Sequence, residues 1–434
     1  MKKVAFHTLG CKVNQYETEA MEELFEKFGY NIVNENEYAD VYVINTCTVT
    51  NLGDRKSRQF IRRAKKLNHD SIIAVVGCYA QVAPKEIEKM SDVDVIIGTS
   101  DKRKIVELCE KAKEEKKQIN MVKDFRELKD FEELEIEEVK SRTRAYIKIQ
   151  DGCNQYCSYC IIPYARGPIR SRPLENIIDE AERLSQAGFK EVVLTGIHVA
   201  SYGKDLGDIS LLDVIKEVNK IEGIERIRLS SIEPTLIDRE FMESISNMPK
   251  VCDHFHLSLQ SGSDTILKRM NRKYTTCEYR NIVKLIREYM PYAGITTDVI
   301  VGFPGEGEKE FEETYDFVKE INFSRIHVFK YSPRKGTPAS KYINQVDGNI
   351  KNERSEKLIN LGEELSNKFN KNLLGKKLKV LFEEESKDPR FIEGYTTNYV
   401  RVKAPFKDEY KGEILSVKII SLDDENLIGE IEEF

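Results

Sequence analysis

Three cysteines with a short, regular spacing carry the strongest chemical signal in this sequence. They are Cys153, Cys157 and Cys160, in the stretch IKIQDGCNQYCSYCIIPYARG. Three thiolates in one loop can bind three irons of a cubane 4Fe–4S cluster and leave the fourth iron open, whereas clusters used only for electron transfer usually have four cysteine ligands. An open iron can chelate the amino and carboxylate groups of S-adenosylmethionine, and an electron from the cluster then yields a 5′-deoxyadenosyl radical.

The alternatives for this motif are a zinc site or a group of unrelated buried cysteines. Three-thiolate zinc sites are usually completed by a histidine, and no histidine lies within this loop. The spacing therefore favours a radical S-adenosylmethionine site.

Successive predicted strands after this motif end in residues suited to binding S-adenosylmethionine. The backbone at Gly196 can hold the amino group, and Gly302 lets the backbone approach adenine closely. Taken singly, a polar residue at a strand end is more often a helix cap or a turn residue. The residues that we expect to contact S-adenosylmethionine are Tyr159, Gly196, Glu233, Gln260, Arg272 and Gly302.

A second set of three cysteines, Cys11, Cys47 and Cys78, follows three consecutive predicted strands. Because the C-terminal ends of adjacent parallel strands share one edge of a sheet, we expect these thiols to converge on one site. No histidine directly adjoins any of them, which indicates a second cluster with one open iron. The alternative is that they are small buried hydrophobic residues, the commonest role of a free cysteine.

The elements that must position both sets follow an alternating strand–helix pattern. Residues 1–115 predict a doubly wound α/β domain with a parallel sheet. Residues 116–140 are rich in Glu and Lys and indicate a linker with solvated helix as its local state. Six strand–helix units over residues 141–371 predict a partial (β/α)6 barrel with a following helix, and sites on such folds collect at the C-terminal strand ends. Residues 372–434 contain four short predicted strands and indicate a small all-β barrel.

The composition of the chain argues against a membrane protein, a secreted protein and a protein with a strongly basic surface. The 434 residues are 40% hydrophobic and 33% charged, with no apolar run that could span a membrane. The N-terminal stretch MKKVAFHTLG is typical of a first strand rather than a signal peptide, so we expect a cytoplasmic protein. In that compartment nine cysteines are unlikely to form disulfides. The net charge of −6 gives no global attraction to nucleic acid.

Four stretches together resemble the methylthiotransferase family of radical S-adenosylmethionine enzymes: TLGCKVNQYETE, INTCTVTNLGDRKSRQ, VVGCYAQ and IKIQDGCNQYCSYCIIPYARGPIRSR. The resemblance covers essentially the whole chain. It implies that Cys11, Cys47 and Cys78 hold an auxiliary 4Fe–4S cluster and that residues 372–434 form a TRAM domain, a small RNA- or protein-binding β-barrel. It also implies a reaction that replaces a C–H bond by C–S–CH3, with one S-adenosylmethionine for methyl transfer and one for radical generation.

Within that family, the CKVNQYE and CTVTNLGDRKSR stretches resemble the branch that acts on N6-threonylcarbamoyladenosine beside the tRNA anticodon. The alternatives are isopentenyladenosine in tRNA, an aspartate of a ribosomal protein, or a non-catalytic iron–sulfur protein that binds RNA. We expect a reductant such as flavodoxin or ferredoxin as a partner, and the sequence does not identify the sulfur donor.

Contact with tRNA requires local cationic surfaces. Cations recur at three- and four-residue intervals on one predicted helix after Cys47 and so share a face, although a solvated surface helix is an equally simple interpretation. The last 63 residues carry ten Lys/Arg and fourteen Asp/Glu, so only a local face there can contact RNA. The residues that we expect to contact RNA are Arg55, Arg58, Arg62, Lys66, Arg166, Arg170 and Arg401.

Overall fold

The computed structural model describes residues 1–134, 143–423 and 426–432. Its N-terminal part is a six-stranded parallel sheet in the order β2-β1-β3-β4-β5-β6, with a separate hydrophobic core on each face, as predicted for a doubly wound domain. Its elements are β1 (Lys3–Thr8), α1 (Lys12–Lys27), β2 (Asn31–Val33), β3 (Val41–Thr46), α2 (Asn51–Leu67), β4 (Ile72–Gly77), α3 (Cys78–Val82), α4 (Pro84–Ile87), β5 (Val95–Ile97), α5 (Ile105–Glu115) and β6 (Ile119–Asn120).

The central strands of this sheet are mostly apolar because both of their faces are covered. Every residue of β3 (VYVINT) and β4 (IIAVVG) is buried. Helix α2 packs Phe60, Ile61 and Ala64 against the sheet and leaves most of its cations in solvent. The two short strands β2 and β6 are absent from the sequence prediction, since strands of three and two residues at sheet edges give no periodic signal.

The prediction of solvated helix after residue 115 is wrong for the described residues 116–134. Lys116 takes a positive φ of 50° and ends α5, and the chain then adds β6 to the sheet beside β5. Leu128 and Leu134 are buried, and the Tyr16 hydroxyl donates to the Leu134 carbonyl oxygen at 2.7 Å. Burial of these two leucines outweighs the Glu/Lys composition that indicated solvated helix. Residues 135–140 of that prediction lie outside the described residues.

The middle of the chain forms a curved wall of six parallel strands, as predicted for a partial barrel. Hydrogen-bonded ladders join β7, β9 and β10 and, separately, β11, β12 and β13, and isolated bridges such as Ile232–Leu257 connect the two groups. Its elements are β7 (Arg144–Asp151), α6 (Ile162–Arg166), β8 (Arg170–Ser171), α7 (Leu174–Gln186), β9 (Glu191–Gly196), α8 (Leu211–Lys220), β10 (Arg226–Leu229), α9 (Arg239–Ser246), β11 (His254–His256), α10 (Asp264–Arg269), α11 (Thr276–Tyr289), β12 (Gly294–Val301), α12 (Glu308–Ile321), β13 (Arg325–Lys330) and α13 (Gly348–Lys371).

The C-terminal part is a closed five-stranded barrel in the order β14-β15-β16-β18-β17. The sequence predicted only four of these strands, because Gly394 lies in the interior of the missed strand and glycine weakens a strand pattern. A Cβ at Gly394 would lie 2.2 Å from the Leu381 carbonyl oxygen, so the close approach of β14 and β15 requires glycine there. The strands are β14 (Lys377–Glu385), β15 (Phe391–Thr396), β16 (Arg401–Pro405), β17 (Ile414–Asp423) and β18 (Asn426–Ile431).

Among the described residues, none of the helices combines the length and the apolar character that crossing a membrane requires.

Candidate active site

The first cysteine set lies in the loop that follows β7. The Cys153 amide donates to the Gly167 carbonyl oxygen at 3.0 Å, and the Cys160 amide donates to the Cys157 carbonyl oxygen at 2.9 Å. Gly152 has a φ of 75°, and a Cβ there would lie 1.7 Å from the Pro168 carbonyl oxygen. Only glycine fits this position, which turns the chain from the strand into the cysteine loop.

Burial affects the thiols of this loop directly. It raises the pKa of Cys153 to about 11 and that of Cys160 to about 12. Thiols in such surroundings stay protonated at neutral pH unless a positive centre stabilises the thiolates. Cys153 and Cys160 are therefore unsuited to nucleophilic catalysis by a free thiolate.

An arginine reaches this set from the segment between α10 and α11. Arg272 donates from Nη1 to Cys157 Sγ at 3.3 Å and from Nη2 to both carboxylate oxygens of Glu233 at 2.8 and 2.9 Å. His198 Nε2 lies 3.7 Å from Glu233 Oε2. Burial alone would raise the pKa of Glu233, but His198 and Arg272 outweigh it and the pKa is lowered. Two of the residues expected to bind S-adenosylmethionine thus meet beside Cys157, and His198 is a neighbour that sequence analysis did not include.

Of the other four residues expected to bind S-adenosylmethionine, Tyr159 also lies close to Arg272, which opposes the rise in the pKa of Tyr159 that burial causes. Gly196, Gln260 and Gly302 lie at separate places around the wall. Tyr159 packs in the small apolar cluster that contains Phe303, and Gly196 ends β9 beside β7. The backbone of Gln260 joins the segment after β11 to β12. A Cβ at Gly302 would lie 2.3 Å from Lys351 Cγ, so this glycine faces α13 and offers only its backbone to the site.

The second cysteine set lies at the C-terminal edge of the N-terminal sheet. Cys11 caps α1 after β1, Cys47 follows β3, and Cys78 begins α3 directly after β4. These are three neighbouring strands. A Cβ at Gly10 would lie 3.3 Å from Cys47 Sγ, which shows how closely the first loop passes the second. Burial, with the nearby Cys78, raises the pKa of Cys47 to about 12.

Asn14, three residues after Cys11, connects the loops of this set. Its Nδ2 donates to the carbonyl oxygens of Leu9 at 2.8 Å and Thr46 at 3.0 Å, so it joins the loop after β1 to the loop after β3. The Cys11 thiol donates to Asn14 Oδ1 at 3.7 Å. Sequence analysis did not identify Asn14, and the only signal along the chain was a polar residue three positions after Cys11.

Arg166 links the two cysteine sets. It ends α6, just beyond the first cysteine loop, and its side chain is fully buried. Its Nε donates to Cys78 Sγ at 3.3 Å, and its Nη2 donates to Asn14 Oδ1 at 2.9 Å. The next residue, Gly167, accepts the Cys153 amide. One short segment of the barrel thus contacts a cysteine of each set.

A second crossing lies at the start of α2. Arg334, in the loop after β13, donates to Asn51 Oδ1 and to Asp54 Oδ2, both at 2.6 Å, and also to the Thr48 hydroxyl. Thr48 is the residue after Cys47. This contact fixes the Cys47 loop against the barrel.

Comparison with known proteins identifies the family. A model of the radical SAM superfamily matches residues 147–318, and a model described as uncharacterised protein family UPF0004 matches residues 3–98. The chain is 46% identical to the threonylcarbamoyladenosine tRNA methylthiotransferase MtaB of Bacillus subtilis, over 97% of this chain and 94% of that protein. The chain belongs to the radical SAM methylthiotransferase family.

The chain is also similar in sequence to other methylthiotransferases and similar in fold to one solved structure. The Aquifex aeolicus protein named threonylcarbamoyladenosine tRNA methylthiotransferase MtaB is 43% identical over 96% of this chain and 100% of that protein. The tRNA-2-methylthio-N(6)-dimethylallyladenosine synthase of Alkaliphilus oremlandii is 39% identical over 99% of this chain and 93% of that protein. The radical S-adenosylmethionine methyltransferase TsrM from Kitasatospora setae has a TM-score of 0.58 at 15% identity, covering 78% of this chain and 77% of that one, which shows the fold alone.

The cofactors of a methylthiotransferase are S-adenosylmethionine and 4Fe–4S clusters, and the donor sets fit clusters. In residues 1–134, 143–423 and 426–432, no three His, Cys, Asp or Glu side chains are arranged to hold one metal ion. Each thiolate of a three-cysteine cubane binds a different iron, so its ligands lie farther apart than those of one ion. Both sets consist of thiols alone, and in each an arginine donates to one sulfur.

The structure corrects two of the expected RNA contacts of this methylthiotransferase. Arg166 and Arg170 are buried, 0% and 4% exposed. Arg170 donates to the carbonyl oxygens of Arg166 and Pro168 and lies 3.7 Å from Asp151. Both belong to the interior between the two parts of the methylthiotransferase, because the carboxylates that balance them are buried there as well.

Helix α2 does present cations to solvent. Arg55, Arg62 and Lys66 are exposed, as are Lys56 and Arg63. Arg58 is half-buried and donates to the Tyr79 hydroxyl at 2.9 Å. The expected cationic face of α2 is therefore present, with Arg58 committed to an internal contact.

The C-terminal barrel offers less to RNA than the sequence indicated. Arg401 pairs with Glu393 and lies 3.5 Å from Glu384. Tyr399 stacks on Tyr395 with ring centroids 4.9 Å apart and lies over the guanidinium of Arg228 in the partial barrel. Tyr395 and Tyr399 therefore pack against each other and against the partial barrel, and they offer no open surface on which bases could stack.

Proposed function

We propose that this methylthiotransferase converts N6-threonylcarbamoyladenosine next to the tRNA anticodon to its 2-methylthio derivative. The observation that carries the proposal is the 46% identity to the Bacillus subtilis MtaB protein along nearly the whole chain. The arrangement of two cysteine sets across one buried interface supports it, because the reaction needs a radical source and a sulfur source close together.

We infer that Cys153, Cys157 and Cys160 hold the cluster that binds S-adenosylmethionine. When bound, the radical cluster would pass an electron from the reductant to S-adenosylmethionine, S-adenosylmethionine would supply the radical and the methyl group, and the auxiliary cluster would carry the sulfur. The chain itself positions these groups. Arg272 donates to Cys157 Sγ while Glu233 fixes its guanidinium, so the sulfur and the wall of the barrel keep one relative orientation.

The auxiliary cluster is assigned to Cys11, Cys47 and Cys78. Asn14 holds the Cys11 and Cys47 loops together, and Arg166 joins Cys78 to the barrel. Buried contacts that keep two groups in fixed relation contribute to catalysis by lowering the entropy lost on reaching the reactive geometry. A methylthio transfer between two sites needs such a fixed relation.

We further propose that α2 binds the tRNA backbone through Arg55, Arg62 and Lys66. Their exposure and their position beside the Cys47 loop support this role. Lysine and arginine contacts to phosphates position a nucleic acid without reading its sequence. The remaining parts of the proposal are domains at residues 1–115, 141–371 and 372–434 with a linker between the first two, a cytoplasmic location, and a reductant such as flavodoxin or ferredoxin.

Mass analysis of tRNA nucleosides tests the assignment. In a strain lacking this gene, N6-threonylcarbamoyladenosine should persist and its 2-methylthio derivative should disappear. Re-expression of the intact chain should restore it, whereas re-expression of the Cys157→Ala variant should not. Unchanged amounts of the 2-methylthio derivative in the deletion strain would reject the proposed substrate.

A second substrate is supported by a specific observation, the 39% identity to dimethylallyladenosine-modifying relatives over almost the whole chain. The same nucleoside analysis separates the two. Loss of the 2-methylthio form of the dimethylallyl nucleoside, with the threonylcarbamoyl form unaffected, would assign this second substrate.

A further inference from the structure

The contact between the N-terminal sheet and the barrel contains an unusual number of buried charges. Glu17 of α1 is 0% exposed and faces Arg166, Lys148 and Lys102. Burial alone would raise the pKa of Glu17, but these cations outweigh it and lower the pKa to about 2. Glu17 is therefore ionised at neutral pH, and the interface is held by charges that must match.

Arg166 is the centre of this group. Its guanidinium contacts Glu17 at both carboxylate oxygens, one of them at 3.2 Å, and lies 3.2 Å from Asp151 Oδ2. Asp151 in turn pairs with Lys148 at 2.7 Å. Glu17 and Asp151 also pair with lysines, so cations outnumber carboxylates in this group, and the Nε of Arg166 donates to Cys78 Sγ.

The neighbouring buried arginines have oxygen atoms as their partners and do not contact a sulfur. Arg170 donates only to carbonyl oxygens and lies near Asp151. Arg172 pairs with Glu180 and with Glu133. Their carboxylate and carbonyl partners account for these two side chains. Arg166 alone among the three brings a cationic donor to a sulfur of the other domain.

We propose that Arg166 is a positioning residue of the barrel that sets the reduction potential of the cluster on Cys11, Cys47 and Cys78 through its N–H···S contact with Cys78. This inference rests on the proposed function, since it requires a cluster on that cysteine set. It makes the potential of the sulfur-donating site depend on whether the radical domain is docked.

The physical basis is the charge of the cluster. Reduction adds negative charge to the cluster and its thiolates, and hydrogen bonds to the sulfurs together with nearby cations stabilise that charge. A charge-assisted donor in a buried site acts strongly because solvent screens it poorly. Loss of the Arg166 contact should therefore make the auxiliary cluster harder to reduce.

The test is an EPR-monitored redox titration of the full-length chain loaded with iron and sulfide. It is run on the intact cysteine sets and on a Cys153→Ala/Cys157→Ala/Cys160→Ala background, where only the auxiliary signal remains. Because Arg166→Gln alone removes the cation that contacts both carboxylate oxygens of the buried Glu17, the test variant is Glu17→Gln/Arg166→Gln, compared with Glu17→Gln. We expect the double variant to have a lower midpoint than Glu17→Gln by a tenfold change in the reduction equilibrium, about 59 mV for one electron.

Arg170→Gln, made in the same Glu17→Gln background, is the matched control, since Arg170 is buried in the same interface but does not touch a sulfur. We expect it to change the reduction equilibrium at most about twofold. An equal shift in Arg170→Gln would overturn the N–H···S mechanism, because any buried cation would then suffice. An auxiliary cluster with full iron content and an unchanged midpoint in the double variant would also overturn it.

A merely structural role for Arg166 would lower the unfolding midpoint without moving the potential, and that result likewise contradicts the proposal. Failure of the proposed function looks different. If the background lacking Cys153, Cys157 and Cys160 binds no iron, then the ligand assignment of the auxiliary set fails, and the role of Arg166 fails with it.

Discussion

The two cysteine sets reach a similar arrangement by opposite routes. The set at Cys153, Cys157 and Cys160 comes from one loop of eight residues, and the arginine that donates to one of its sulfurs belongs to the same barrel. The set at Cys11, Cys47 and Cys78 comes from three strand ends, and its arginine comes from the other domain. The first set is complete within its own domain, whereas the second is completed only by docking.

This difference indicates where the two sites are vulnerable. The radical loop is fixed by one glycine turn and by hydrogen bonds within its own domain, such as the Ser158 amide to the Met270 carbonyl oxygen and Asn271 to the Tyr156 carbonyl oxygen. Changes at the domain interface should therefore leave it intact. The auxiliary set depends on two crossings of the interface, Arg166 at Cys78 and Arg334 at the Cys47 loop. Substitutions at the interface should therefore act on the auxiliary site first.

Removing one cysteine from each set gives the largest expected contrast. Cys157→Ala should abolish cleavage of S-adenosylmethionine, because a cluster with two thiolates is not held in place. Cys47→Ala should retain uncoupled cleavage to 5′-deoxyadenosine and lose methylthio transfer entirely. Quantifying 5′-deoxyadenosine and 2-methylthio nucleosides in the same reaction measures both. Each variant should lose about four irons per chain.

Cys277→Ala serves as the control for this contrast, since Cys277 is an exposed thiol outside both sets. It should retain full iron content and both products. Methylthio transfer that survives in Cys47→Ala would contradict the division of labour between the sets.

Sequence analysis predicted both cysteine sets because spacing and strand-end position are visible along a chain. The parallel sheet and the six-unit barrel followed from the alternation of strand and helix, and C-terminal strand ends meet whatever their sequence separation. Glu233 and Arg272 were each named as expected contacts of S-adenosylmethionine, but neither their pairing nor the contact of Arg272 with Cys157 was predicted.

The interface could not be predicted in the same way. Arg166 and Arg170 stand in a cationic stretch that, along the sequence, is indistinguishable from an RNA-binding one. Their partners Glu17 and Asp151 lie 149 and 15 positions from Arg166, so only the docked structure shows that these arginines pair with buried carboxylates. The structure of the linker could not be predicted either, because the burial of Leu128 and Leu134 is not visible in its Glu- and Lys-rich composition.

Arg334→Met should weaken the docking of the auxiliary side. Arg334 and Asp54 are both nearly buried and lie 2.6 Å apart, and breaking such a pair leaves an uncompensated carboxylate at a cost of about 4 kcal/mol. Chemical unfolding followed by a probe in the N-terminal domain measures the loss. The control is Arg280→Met, whose exposed pair with Glu320 should contribute less than about 1 kcal/mol. Equal losses of unfolding free energy in the two variants would show that Arg334 does not stabilise the contact between the two domains.

Glu17→Gln should give a smaller, pH-dependent loss. The folded-state pKa of Glu17, about 2, lies below its unfolded value, so its contribution is fully present above the unfolded pKa and disappears as pH falls towards 2. The shift corresponds to about 3 kcal/mol at neutral pH. Unfolding of the cluster-free chain between pH 3 and pH 7 should show a difference between parent and variant that narrows with acid. A difference independent of pH would mean that Glu17 does not gain its charge partners on folding.

The smallest expected effect concerns tRNA binding on the auxiliary side. Arg62 and Lys66 are exposed on α2, whereas Arg58 is tied to Tyr79, so Arg62→Ala and Lys66→Ala should weaken binding more than Arg58→Ala does. Replacing an exposed cation that contacts a phosphate should reduce the magnitude of the slope of log affinity against log salt by about 1. Lys309→Ala on α12 is the control, since Lys309 is exposed on the radical side. If Lys309→Ala reduces the slope as much as Lys66→Ala, then tRNA lies along the barrel, and the auxiliary side is not the surface that receives the substrate.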